Sequence, residues 1–134
     1  MPYAPRFVLR SFDILPERIK VRVLETMVEA LVAANMAYLE AFPRTPLLYE
    51  SGVRYLEEPR GRDDWQDIPE TLARDKTGDC EDLAAWRIAE LRMHGESARP
   101  AVRASVIRGV LTYHIRVRRA DGSIEDPSRE LGMR

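Results

Sequence analysis

The sequence predicts an α+β fold, with a long N-terminal helix followed by a shorter helix that packs against an antiparallel sheet. Apolar residues recur at helical spacing between Pro16 and Phe42, and a second helical pattern starts at Cys80. Two stretches of alternating apolar and polar residues follow, next to a hairpin turn signal. Helices followed by strands are typical of α+β folds. A chain of 134 residues suits one domain, predicted over residues 1–134.

Composition excludes several classes of protein. The chain is 45% hydrophobic and 32% charged with a formal net charge of -1, which gives no support to nucleic-acid binding. Its one cysteine cannot form an internal disulfide. Residues 1–7 contain no long apolar run, so we predict neither a signal peptide nor a membrane span. We therefore expect the protein in the cytoplasm, unless it is carried in a larger particle.

The first half of the chain is predicted to be scaffold. Pro16 suits the first turn of the long helix, and Pro43 follows its end. Residues 47–56 are predicted to be extended or loop, because a Ser-Gly pair interrupts β-type residues. The apolar stripe of the helix is expected to face the core; it consists of Ile19, Val23, Leu24, Met27, Val28, Leu31, Val32, Met36 and Leu39.

The second helix is predicted to start at or next to Cys80. Apolar residues follow up to Met93, with Trp86 expected in the core, and Gly95 supplies a left-handed stop after His94. A thiol at a helix N-terminus meets unpaired backbone N–H groups and the positive end of the helix dipole, and both favour the thiolate. Cys80 is therefore a candidate nucleophile.

Three carboxylates compete with this effect on the thiol. Asp79, Glu81 and Asp82 flank Cys80 in the sequence. Negative charges close to a thiol raise its pKa, whereas a protonated histidine in contact with it lowers the pKa. The balance depends on where these side chains point.

The C-terminal third is predicted to form an antiparallel sheet. Residues 101–107 and 110–117 indicate two strands, and residues 123–126 a returning strand after a turn at residues 120–122. His114 falls on the polar face of the second strand. His114 and Asp126 thus follow Cys80 in the chain order nucleophile, base and orienter.

Two registers of this hairpin are open, and they place Asp126 on different faces of the sheet. A two-residue turn at Asp121-Gly122 pairs Val117 with Asp126, on the face away from His114. A three-residue turn whose glycine forms a bulge puts Asp126 on the face of His114. Apolar matching slightly favours the two-residue turn. We prefer the bulge, because Ala-Asp-Gly suits it and because the functional set is then complete.

Cys80, His114 and Asp126 have the chemistry of a nucleophilic relay. The thiolate attacks, the histidine takes the thiol proton and later returns one to the leaving group, and the carboxylate fixes the imidazole tautomer. The backbone N–H of Cys80 is a candidate oxyanion donor. Trp65 lies in a loop-like acidic stretch, where an aromatic residue either lines a substrate cleft or caps the core.

Charge is unevenly distributed along the chain. Residues 57–82 contain ten acidic residues against four basic ones, and residues 99–119 contain six arginines and no acidic residue. The simpler interpretation, which we favour, is a solvated surface, because exposed ion pairs contribute little energy. The alternative is that an acidic loop approaches a basic strand with the cysteine between them.

Several of these motifs together resemble the bacterial transglutaminase-like cysteine peptidases. The resemblance covers residues 65–126 and is carried by Trp65, Ile68-Pro69-Glu70-Thr71-Leu72, Gly78-Asp79-Cys80-Glu81-Asp82-Leu83-Ala84, Leu91 and Gly95. It implies a papain-like (transglutaminase-like) α+β fold with Cys80 as nucleophile, His114 as base and Asp126 as orienter. It also implies a substrate-cleft or oxyanion role for Trp65. Some relatives bind calcium beside the cysteine, which makes Asp79, Glu81 and Asp82 candidate calcium ligands, although no cofactor is required.

The resemblance implies a thiol enzyme that cleaves an amide or peptide bond through an acyl-enzyme at Cys80. Transfer of the acyl group to an amine is a close variant. The alternative is a catalytically silent module of the same fold with a binding or structural role. Exported members carry signal peptides, whereas small members occur in phage and prophage gene clusters. The expected partners are a protein or peptide substrate and a virion or assembly partner, but neither nucleic acid nor a membrane.

Overall fold

The computed structural model describes residue 9 and residues 11–58 and 64–134. Residues 1–7, which bear on the prediction about a signal peptide, lie outside the described residues. Asp63 of the acidic stretch also lies outside them. Within the described ranges, no helix is both long enough and apolar enough to cross a membrane.

In the part of the chain that the structure describes, four α-helices and five strands make up a mixed α+β architecture, which confirms that part of the predicted fold class. The long N-terminal helix is α1 (Glu17–Ala41), and the helix that begins at the cysteine is α3 (Cys80–Met93). Two shorter helices are α2 (Ile68–Ala73) and α4 (Pro127–Glu130), and 3-10 turns occur at Phe12–Ile14 and Leu48–Glu50.

The strands form two small sheets. The larger is antiparallel, in the order β3 (Arg99–Ile107), β4 (Val110–Arg118) and β5 (Ile124–Glu125). The smaller is a parallel pair of two-residue strands, β1 (Arg54–Tyr55) and β2 (Thr77–Gly78). The predicted antiparallel sheet is therefore confirmed, while the parallel pair, α2 and α4 were not predicted.

The β4–β5 hairpin adopts the bulged register. Val117 pairs with Glu125, and the backbone N–H of Arg119 donates to the carbonyl of Ser123 at 2.8 Å. Gly122 has a φ of +88°, the left-handed conformation that a bulge glycine requires. Our preference for the bulge is confirmed, and the two-residue turn is excluded.

The core lies between α1, α3 and one face of the larger sheet. Val28 and Val32 of α1, Ile88 of α3, and Ile115 and Val117 of β4 are all fully buried in one cluster. A second cluster lies on the other side of α3 around the fully buried Trp86. The helix is therefore covered on both sides, which explains why most of its residues are buried. The apolar stripe of α1 faces the core as predicted.

The end of α3 follows the predicted stop signal. Gly95 has a φ of +87°, its N–H donates to Arg92, and the N–H of Glu96 donates to the carbonyl of Leu91 at 2.9 Å. These two bonds form a Schellman motif, which satisfies carbonyls that the helix leaves open. The helix is thus fixed at its C-terminus, at the opposite end from the cysteine.

Candidate functional site

The start of α3 is held by a capping box. The Asp79 side chain accepts a hydrogen bond from the backbone N–H of Cys80 at 2.7 Å. The Asp82 carboxylate accepts one from the backbone N–H of Asp79 at 3.0 Å. Gly78 precedes the box, and a Cβ at this position would lie 3.1 Å from Leu83. The sequence therefore fixes where the helix starts and which residue occupies its first position.

Cys80 lies inside the protein rather than on its surface. Only 5% of the residue is exposed, and it packs in the cluster that contains Ile115. The thiol donates to the Glu81 carboxylate, with 3.4 Å between Sγ and Oε2. Burial, then the charges of Glu81 and Asp79, raise the pKa of the Cys80 thiol well above its ordinary value, while the backbone amide of Ile115 opposes them.

Burial and the acidic neighbours of the thiol therefore outweigh the effect of the helix N-terminus on its pKa in this structure. The dipole effect predicted a lowered pKa, but the backbone N–H of Cys80 is engaged by Asp79. The same contact changes the expectation for oxyanion binding, because that N–H already has an acceptor at 2.7 Å. In this conformation it is not a free oxyanion donor.

His114 and Asp126 form the second half of the predicted relay. Nε2 of His114 lies 2.8 Å from Oδ2 of Asp126, and both side chains are mostly shielded from solvent. The bulged register puts both residues on the same face of the sheet. Asp126 is also the N-cap of α4, where it accepts from the N–H of Arg129. Asp126 is therefore held in place by its position directly after β5 and by its role as the N-cap of α4.

The thiol lies close to the strand that carries the histidine. Cys80 packs in the same buried cluster as Ile115, the residue that follows His114 on β4. Among the described residues, however, no hydrogen bond joins the Cys80 thiol to the His114 ring. Because Asp126 binds Nε2, Nδ1 is the ring nitrogen that remains for a second partner.

Trp65 packs against the cluster that contains Cys80. Its ring centroid lies 6.4 Å from that of Tyr113, the residue before His114 on β4. The structure thus brings Trp65 into the same region as the cysteine and the histidine. Its roles as a cleft residue and as a core cap both stay predictions.

Gln66 is a positioning residue that the sequence did not reveal. It is 5% exposed, its backbone N–H donates to Asp82 at 2.7 Å, and its side-chain amide donates to the carbonyl of Thr77 at 3.1 Å. These bonds fix the segment that carries Trp65 against the start of α3. A glutamine between an acidic loop and a short helix gives no sequence signal of burial.

The candidate calcium ligands are engaged in internal contacts. One ligand atom each from Asp79, Cys80 and Glu81 lie within 4.8 Å of one another. Asp82, however, accepts three N–H groups from Asp79 and Gln66, and burial raises its pKa to about 8. Calcium prefers six to eight oxygen ligands from charged or carbonyl groups, and Asp82, whose two oxygens already accept three N–H groups, does not fit that set. These residues therefore do not form a calcium site in this conformation.

A network of ion pairs fixes the strand that leads to Asp126. Glu125 accepts from Arg87 of α3 at 2.6 Å, from Arg119 at 2.8 Å and from the hydroxyl of Tyr49 at 2.5 Å. Its side chain is 17% exposed, so these contacts are partly shielded from water. Because Glu125 precedes Asp126, the network positions the partner of His114.

A cleft of about 560 Å³ opens next to the start of α3. Gln66, Gly78 and Asp79 contribute to its wall, together with Glu57, Glu58 and Asp64. The cleft gives solvent access to the N-terminal end of the helix. No ion pair within the described part of the chain joins the acidic residues of 57–82 to the arginines of 99–119, so the alternative, in which an acidic loop approaches the basic strand, has no ion pair to support it.

Comparison with known proteins gives no match, since no family model, no curated protein and no solved structure is similar to this chain. The resemblance to the transglutaminase-like cysteine peptidases therefore rests on the motif residues themselves.

Proposed function

We propose that this protein is a transglutaminase-like thiol enzyme that cleaves an amide or peptide bond through an acyl-enzyme at Cys80. The observation that supports this most is the His114–Asp126 pair at 2.8 Å, on a strand whose Ile115 shares a buried cluster with Cys80 at the start of α3. A nucleophile at a helix start beside a histidine that is oriented by a carboxylate is the arrangement that acyl transfer needs.

The proposed reaction uses the three residues in fixed roles. Nδ1 of His114 takes the Cys80 proton while the sulfur attacks the substrate carbonyl carbon, and Asp126 stabilises the imidazolium. The C–N bond then breaks, the His114 proton passes to the departing amine, and a thioester remains on Cys80. Water, activated by His114, hydrolyses the thioester and restores the thiol. An amine in place of the water gives the acyl-transfer variant.

The raised pKa of the thiol defines the resting state of the proposed enzyme. At neutral pH Cys80 is a protonated thiol that is hydrogen-bonded to the Glu81 carboxylate. Proton transfer to His114 must therefore accompany the attack, rather than precede it as in a preformed thiolate–imidazolium pair. A rotation of the thiol from Glu81 toward His114 would begin the reaction. Substrate bound in the cleft beside Asp79 would trigger this rotation.

The partners and location follow as proposals. The proposed substrate is a protein or peptide, and the proposed reaction requires no calcium. The protein acts in the cytoplasm or as part of a virion or assembly. The phage-related setting rests on the resemblance alone.

Acyl-enzyme trapping tests the proposal. The protein is incubated with p-nitrophenyl acetate and analysed by intact mass spectrometry, with Cys80→Ser and Cys80→Ala as controls. The proposal predicts a single acetyl group on Cys80 in the wild type and none at position 80 in Cys80→Ala, with both variants folded. Turnover of a peptide library by the wild type and not by Cys80→Ala would extend the result to amides.

The second candidate function is a catalytically silent binding module of the same fold. One observation favours it: Cys80 is buried and its pKa is raised, as in a structural cysteine. On this interpretation Cys80→Ala would unfold or destabilise the protein, and no ester or peptide would acylate the wild type. The trapping experiment therefore separates the two candidates.

A further inference from the structure

Four arginines form a basic surface on the face of the larger sheet that is turned away from the core. In the β3–β4 register, Arg99 lies directly opposite Arg118, and Arg116 lies two residues from Arg118 on the same face. Arg103 is on this face as well, directly opposite His114. Arg99 and Arg103 are exposed, and Arg116 and Arg118 are half-buried. We call these four residues the arginine face.

None of the four arginines is in an ion pair with a residue that the structure describes. Elsewhere in the same part of the chain, Arg87, Arg92 and Arg119 each bind a carboxylate within 3 Å. The undescribed residues include one acidic residue, Asp63. Like charges directly opposite each other in a sheet destabilise it, so an anionic partner on this face would relieve repulsion within the fold.

The four arginines and α1 together line a groove of about 870 Å³ that runs along the edge strand β3, to which Pro100, Val102 and Ala104 also contribute. From α1 the groove receives Glu17, Glu25 and Glu29 together with Arg18, and Glu29 is paired with Arg92, so the helix adds a net negative charge to a groove that the arginines make basic. A ligand with negative charge on all sides, such as a nucleic acid, would meet repulsion from the helix. An extended polypeptide presents alternate side chains to opposite sides, at about 6.8 Å between residues i and i+2. The same spacing separates Arg116 from Arg118 along β4.

We propose that the groove between α1 and the arginine face binds an extended polypeptide with acidic side chains at alternate positions. Its acidic residues bind the arginines, where a guanidinium and a carboxylate form paired hydrogen bonds, and the residues between them face Glu17 and Glu25. The proposal goes beyond the hydrolase proposal and does not depend on it. If both proposals hold, the bound segment would end next to His114, which lies directly opposite Arg103 in the sheet.

Fluorescence anisotropy with labelled peptides tests this on the wild-type protein, with mass spectrometry of each peptide to show that it stays intact. The probes are an alternating Glu-Lys decapeptide and a peptide of identical composition with its charges in blocks. We expect the alternating peptide to bind at least fivefold more tightly at low salt. Equal affinities would overturn the proposal, as would tighter binding of a single-stranded DNA of equal length.

Matched variants locate the binding. Arg99→Gln/Arg103→Gln removes two exposed charges of the arginine face. Arg22→Gln/Arg44→Gln removes two exposed arginines outside the groove that also lack ion pairs in the described structure. We expect the first variant to weaken binding at least tenfold and the second less than twofold, with no fall in melting temperature in either variant. Equal losses in both variants would show non-specific attraction and overturn the proposal.

Discussion

Single residues set the reactivity of the thiol, and the dominant influences are burial and two carboxylates. The Cys80 sulfur is shielded from water and donates to Glu81, and both features favour the protonated form. Sequence reasoning identified the three acidic neighbours as a factor that raises the pKa. It did not show that Cys80 is buried, because burial depends on packing against β4. The contact of Asp79 with the N–H of Cys80 is a local helix cap, which the Asp-x-x-Asp spacing of residues 79–82 could have indicated.

Glu81→Gln should make Cys80 more reactive. The substitution removes a negative charge beside the sulfur but keeps the side-chain volume, so the pKa of the thiol should fall. The rate of iodoacetamide alkylation near neutral pH should then rise about tenfold for each unit by which the pKa falls. Glu70→Gln, at an exposed acid on α2 that pairs with Arg74, is the control and should leave the rate unchanged. An unchanged rate in Glu81→Gln would show that burial alone governs the thiol.

Asp82 should give the fold a pH dependence of defined sign. Its pKa is about 8 in the folded protein, mainly because of burial, against an ordinary value of 3.8. Between these values the folded state holds a proton that the unfolded state has released, so the free energy of unfolding falls as pH rises. This contribution is fully present below the lower value and is lost through the upper one.

The comparison with Asp82→Asn isolates this effect, because asparagine does not titrate. Urea unfolding of both proteins from about pH 5 to about pH 8.5 should show the wild type losing stability relative to the variant. Parallel curves would mean that Asp82 is ionised throughout this range.

At the scale of elements, the bulged hairpin decides whether His114 and Asp126 can meet. The Ala-Asp-Gly signal and the requirement of the functional set indicated the correct register, against the apolar matching. That matching failed because Ile124 is 38% exposed and does not face the core. Local turn chemistry therefore outweighed the burial of one side chain.

Gly122→Val should damage both the hairpin and the His114–Asp126 contact. A β-branched residue at a φ of +88° costs about 1–2 kcal/mol, and relief of this strain shifts the register. Gly95→Val is the matched control, with a φ of +87° and equally open surroundings. Both variants should lose similar stability in urea unfolding. Only Gly122→Val should lose the hydrogen-bonded imidazole proton signal of His114 in NMR spectra, and its retention would contradict this role of the bulge.

The short elements could not be predicted from periodicity. α2 and α4 are six and four residues long, and β1 and β2 have two residues each, which is too short for a repeating pattern. Helix-start signals were nevertheless present: Asp67 and Asp126 are N-caps, and a proline follows each in the first turn. The relay predicts Asp126 as the residue that orients His114, but it does not predict that Asp126 caps α4.

Across the whole molecule, the site depends on elements far apart in the chain that one network holds together. Glu125 binds Arg87 of α3, Arg119 after β4 and Tyr49 of a 3-10 turn. The long helix, the helix that begins at Cys80 and the hairpin could be predicted from local patterns. The network could not, because its members are separated by up to 76 residues and their pairing depends on the tertiary fold.

Glu125→Ala should destabilise the protein substantially. It leaves Arg87 and Arg119 in a partly buried site without their shared carboxylate, at a cost of about 2–3 kcal/mol, somewhat less than for a fully buried pair. Glu70→Ala breaks the exposed pair with Arg74 and should cost less than about 1 kcal/mol. Urea unfolding measures both. Similar losses in the two variants would mean that the network contributes no more than a surface pair.

The proposed Cys80–His114 pair is tested by the alkylation rate of Cys80 near neutral pH, compared between the wild type and His114→Ala. His94→Ala is the control, because His94 is the other histidine and ends α3, at the far end from the thiol. If His114 is the base for Cys80, its loss should slow alkylation roughly 100-fold, the lower end of what a positioned base contributes, and His94→Ala should react like the wild type. Equal rates in all three proteins would contradict the Cys80–His114 pair and leave the binding module as the better account.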